Sequence, residues 1–84
     1  MALPKVSVTL SPEQIGYLNT RLSEMRHNVN NSLSLIIAAV ELIRRKPDVT
    51  TRMVETISQQ PEKITTEVRA FSDYFDKTFG ITRE

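Results

Sequence analysis

At 84 residues with no cysteine, the chain is a single domain that neither a disulfide framework nor a thiolate metal site can reinforce. A net charge of +1, from 11 basic and 10 acidic side chains mixed along the sequence, provides no single-sign field to attract nucleic acid or an anionic membrane. The most apolar run, residues 33–43, contains Ser34 and Glu41 and falls well short of the roughly 20 apolar residues of a spanning helix. The opening residues lack the apolar core of a secretory signal, so a cytoplasmic protein is expected.

Residues 1–10 form an N-terminal arm whose alternating Val6-Ser7-Val8-Thr9-Leu10 suits either a short extended segment laid on something or a flexible lead-in. Ser11-Pro12-Glu13-Gln14 then marks a helix start. Ser11 can cap, Pro12 suits the first helical position, and Gln14 completes a capping box. No further proline occurs before Pro47, so the first helix is expected over about 12–46, a length of roughly 52 Å. Its apolar residues follow a heptad through Ile15, Leu18, Leu22, Met25, Val29, Ser32, Ile36, Ala39 and Ile43. Beyond Val29 the stripe broadens: Leu33, Leu35, Ile37, Val40 and Leu42 add apolar faces that call for helices on several sides.

Lys46-Pro47-Asp48 breaks the pattern, after a basic Arg44-Arg45-Lys46 that complements a helix C-terminus. Asp48 or Thr50 can cap a second helix, expected over about 49–79, with Met53, Val54, Ile57, Ile64, Val68, Phe71, Phe75 and Phe79 as its apolar stripe. Pro61 interrupts it, giving a kink near that residue or two shorter helices meeting at Gln60. Gly80 is a natural terminator, leaving 81–84 as a tail. The expected fold is all-α: a long antiparallel helical hairpin over 11–80, dimerising with a second copy into a four-helix bundle that covers the broad face of the first helix. Small two-helix chains need such a partner because their surface-to-volume ratio is unfavourable.

The chain contains one histidine. A heptad that turns Met25 and Val29 inward puts His27 outermost, with Asn31 and Ser34 following on the same polar face. An exposed neutral imidazole is a competent nucleophile toward a phosphoryl group and needs no metal for that role. A lone histidine without cysteines or clustered acids does not make a metal site, and no cofactor is expected. With the turn near Asp48, antiparallel pairing places His27 level with about Arg69, whose outward neighbours include Thr65, Thr66, Ser72 and Asp73.

The segment Met25-Arg26-His27-Asn28-Val29-Asn30-Asn31-Ser32-Leu33 resembles the phosphoacceptor box of the dimerisation and histidine phosphotransfer domain of sensor histidine kinases. In that family the histidine lies on the first helix of a dimeric hairpin, commonly followed by an acid, then by threonine or asparagine, proline and an apolar residue. His27, Asn31 and Leu33 match directly. Arg26 and the Asn30-Asn31 pair look like a variant of the box in which proline is not required. Ala39-Val40-Glu41-Leu42-Ile43 is similar to the end of the family's first helix, and the resemblance extends over roughly 11–79. Asn28 stands where the family has an acid that orients or deprotonates the histidine, and Ser32 replaces a proline that kinks many members.

The resemblance implies that His27 accepts phosphate and that Asn31 positions water for dephosphorylating a receiver aspartate, a task for which a carboxamide has both donors and acceptors. Arg26, Asn30, Ser34 and Arg69 are the expected partner contacts, Arg69 through its charge. Gly16 and Gly80 alone cannot build a glycine-rich nucleotide loop, so no autonomous ATP-dependent kinase activity is expected. Phosphate would arrive from the receiver domain of a response regulator or from a separate kinase subunit. The alternative is a catalytically silent dimerisation or scaffold protein that keeps the fold.

Overall fold

The computed structural model describes residues 3–81 and folds as two antiparallel helices, α1 (Pro12–Arg45) and α2 (Thr50–Phe79), joined by a 3-10 turn at Pro47–Val49. The start of α1 is closed reciprocally: the Gln14 amide donates to Ser11 Oγ at 3.1 Å, and the Ser11 amide donates to Gln14 Oε1 at 2.8 Å. Both donors would otherwise have no partner inside the helix. At the far end, the ring of Pro47 disfavours helical backbone at Lys46, which turns out to φ −135°, ψ 81°, so α1 stops at Arg45.

The side chains of Asp48 and Thr50 do not cap α2. Val49 occupies the capping position with no side-chain bond, and the Thr50 hydroxyl donates backwards to the Pro47 carbonyl. The 3-10 turn takes over the connecting role, since a proline at its first position has no amide to satisfy. α2 continues through Pro61 as one helix, which removes the alternative of two shorter ones. It ends where Gly80 adopts the left-handed conformation at φ 64°, with the amides of Gly80 and Ile81 both donating to the Asp76 carbonyl, a Schellman-type closure.

Three cross-helix juxtapositions set the register. The Arg21 guanidinium lies 4.9 Å from the ring centre of Tyr74, the Tyr17 ring packs on the same tyrosine, and Asn28 and Ser32 of α1 line one groove with Lys63 and Glu67 of α2. In this register Gln60 of α2 falls midway between Ser32 and Ala39 of α1, and these three are the buried residues among those described, at 1%, 8% and 3% exposure. Small residues one heptad apart on α1 allow a close approach of the two helices at this level. Gln60 Nε2 donates to the Thr56 carbonyl at 3.1 Å, while its Oε1 is buried without a donor among the described residues. Along the rest of the seam Leu18, Leu22, Met25, Val29, Ile36 and Ile43 are half-buried, as are Met53, Ile57, Ile64, Phe71, Phe75 and Phe79; Ile15 is exposed.

Residues nine apart on a helix are about two and a half turns apart and face opposite ways. Asn28 and Lys63 share one face of the hairpin, so Ile37 and Val54, each nine residues away, share the opposite one. That opposite face carries Leu33, Ile37 and Val40 from α1 and Val54 and Val68 from α2, all exposed. Leu35 and Leu42, one and two heptads after Asn28, are exposed on the first face, so apolar surface is left open on both sides of the turn-proximal half.

At the open end Tyr17 packs on Tyr74 with ring centres 5.6 Å apart, and Phe71, Phe75 and Phe79 follow one another along α2 at 6.2 and 4.5 Å. The described part of the arm forms no strand and is exposed apart from half-buried Leu10. It meets the rest of the chain through one isolated antiparallel bridge, Pro4 to Ile81. Of the expected tail, 82–84 lie outside the described residues, as do 1–2 of the arm. No described helix is long and apolar enough to cross a membrane.

Candidate functional site

His27 is placed by the same geometry that builds the seam. Met25 and Val29 turn toward α2 and are half-buried, and Ile36, nine residues beyond His27, also packs at the seam. The imidazole therefore points away from α2 and is exposed. One turn further on, Asn31 is exposed too, and its Nδ2 lies 3.3 Å from His27 Nε2. Spacing by four residues brings the two side chains onto one stripe, and α1 supplies the rigidity that holds them there.

Asn31 joins the imidazole to the face of the hairpin that carries Asn28 and Lys63. Asn28, Asn31 and Ser32 from α1 face Glu62, Lys63, Thr66 and Glu67 from α2 across a groove of about 370 Å³. A second groove of about 240 Å³ continues toward the open end, between Arg21, Glu24 and Met25 on one helix and Ala70 and Phe71 on the other. Asn28 and Glu67 border both grooves. The position where the resemblance lacks an acid thus shares both grooves with Glu67 of the other helix. On the outer side of α1, Asn31, Ser34, Leu35 and Ala38 line a shallow, largely apolar depression.

The remaining expected site residues separate. Arg26 and Asn30 are exposed on the flank that leads to Leu33 and Ile37, away from the groove. Arg69 lines a depression made wholly of α2 residues, with Thr65, Val68, Ser72 and Asp73 among them. It stands nine residues after the inward Gln60, so it points outward from α2 as His27 points outward from α1: the two share a level and diverge. Glu62, Lys63 and Glu67 went unnoticed in the sequence, although the hairpin register that located Arg69 also carried the information to place them. No group of three or more His, Cys, Asp or Glu residues able to hold a metal ion occurs among the described residues. No family model, curated protein or solved structure matches the chain.

Chemically, the site offers a solvent-facing imidazole nitrogen, a carboxamide within hydrogen-bonding range of it, and an adjoining polar groove. A large partner can reach all three at once. A small molecule would find an open trough with little to enclose it.

Proposed function

We propose that this chain is a histidine phosphotransfer or receiver-phosphatase module of two-component signalling, with His27 as phosphoacceptor and the receiver domain of a response regulator, or a separate kinase subunit, as its partner. The observation that carries the reading is the exposed His27–Asn31 pair at the edge of a polar groove on a long helical hairpin. An imidazole on an outer helix face is open to a bulky phosphoaspartate donor, and a carboxamide beside it can orient hydrolytic water. The module works in the cytoplasm as a homodimer. Ala39 is the one buried apolar residue among those described, and the face that carries Leu33, Ile37, Val40, Val54 and Val68 suits the same face of a second copy in a four-helix bundle.

A second reading, a catalytically silent dimerisation or scaffold protein, draws on Asn28, a carboxamide that cannot take a proton from the imidazole. Incubation with phosphorylated receivers separates the two. Acid-labile phosphate on the chain that disappears in His27→Ala supports phosphotransfer, and receiver dephosphorylation without labelling supports the phosphatase form. Neither result, across the receivers encoded nearby, favours the scaffold. His27→Ala is expected to leave stability within about 0.5 kcal/mol, since the position is exposed and outside the seam.

A further inference from the structure

A proline inside a helix has no amide to give, so Pro61 leaves the Ile57 carbonyl without its helical donor well within α2. The same turn lacks two further supports. Gln60, 1% exposed, donates through Nε2 to the Thr56 carbonyl at 3.1 Å, while its Oε1 is buried without a donor among the described residues. Every other residue from Ser58 to Lys63 is exposed, so the apolar stripe that seats α2 through Met53 and Ile57, and again through Ile64 and Phe71, is broken in between by one polar side chain.

A missing backbone bond, an unsatisfied acceptor and a gap in the apolar stripe each lower the cost of opening a turn, and here they coincide. We infer that residues 57–61 form a hinge at which α2 opens locally while the rest of the hairpin stays folded. The α2 wall of the polar groove lies wholly on one side of this hinge. Glu62, Lys63, Thr66 and Glu67 all follow it, and Asn28, Asn31 and Ser32 line the same groove from α1, which has no interior proline. Opening at Pro61 therefore shifts one wall of the groove against the other. The hinge stands on α2 alone; its use in controlling what reaches His27 and Asn31 rests on the function proposed above.

Hydrogen exchange of the whole chain, resolved amide by amide by NMR, tests the hinge. An uninterrupted helix frays at its ends and is best protected at its centre. Residues 58–65 are instead expected to exchange about tenfold faster than residues 68–75, which open only with the whole hairpin. Low urea should speed exchange over 68–75 and leave 58–65 nearly unchanged, because a local opening exposes little surface. Pro61→Ala restores the amide and should slow exchange over 58–65 by roughly three- to tenfold, the scale of one net hydrogen bond. Protection that peaks over 58–65, exchange there that rises with urea as steeply as over 68–75, or no slowing in Pro61→Ala overturns the inference. Receiver-dependent labelling that is the same in wild type and Pro61→Ala would sever the hinge from phosphotransfer. The expected exchange pattern in a chain that no receiver labels would uphold the hinge while ending the phosphotransfer reading.

Discussion

Replacing Gln60 with methionine probes the tightest point of the hairpin. Methionine has nearly the volume and flexibility of glutamine, so it should fill the same buried position, 1% exposed, without overpacking. The exchange removes an Oε1 atom that is buried without a donor among the described residues, and relieving an unsatisfied acceptor of this kind is worth roughly 1–3 kcal/mol. It also removes the Nε2 bond to the Thr56 carbonyl, whose net worth is about 0.5–1.5 kcal/mol; that carbonyl keeps its ordinary helical partner. The balance favours the variant by about 1 kcal/mol per chain. Urea unfolding followed by circular dichroism, at fixed protein concentration because an oligomer's midpoint depends on it, should show the midpoint rising by about 1 M with an unchanged slope, given a slope of roughly 1 kcal/mol/M for a small domain. Gln60→Ala serves as the control and should lose about 2–4 kcal/mol through the cavity it opens. A methionine variant less stable than the wild type by 1 kcal/mol or more would refute the reasoning, because it would mean that Oε1 has a donor.

Two further predictions address the face that carries Ile37 and the end of α2. Ile37→Asp puts a charge at a residue 64% exposed in the single hairpin, so it should be harmless to an isolated chain; if that face meets a second copy, light scattering should register loss of the dimer at micromolar concentration. Gly80→Ala should destabilise by about 1 kcal/mol in thermal or urea unfolding. A methyl group there meets nothing within 4 Å among the described residues, so the penalty comes from the left-handed backbone at φ 64°.

The helix ends show which local signals carry through to structure. Ser11-Pro12-Glu13-Gln14 closes α1 by the very bonds its capping box implies, because both partners lie within four residues of each other and need nothing from elsewhere in the chain. Gly80 is equally local. The start of α2 is different: Asp48 and Thr50 both have capping chemistry, but Pro47 initiates a 3-10 turn that sets Val49 in the capping position. Competing local options of similar energy are not resolved by residue type. Pro61 makes the same point, since the seam packing on both sides of it holds α2 together as one helix.

At the site, the heptad alone determined that His27 faces outward, and four-residue spacing determined that Asn31 shares its stripe, because helical periodicity is a property of a single helix. Periodicity also marked Ser32, Ile36 and Ala39 as seam positions. Which of those are most deeply buried, the burial of Gln60, the grooves that Glu67 shares with Asn28, and the divergence of Arg69 from His27 were decided only when two helices met in a particular register and rotation. These are relations between residues far apart in the chain. The rotation of one helix against another depends on the sum of many side-chain contacts along the seam, and no single spacing in the sequence encodes that sum.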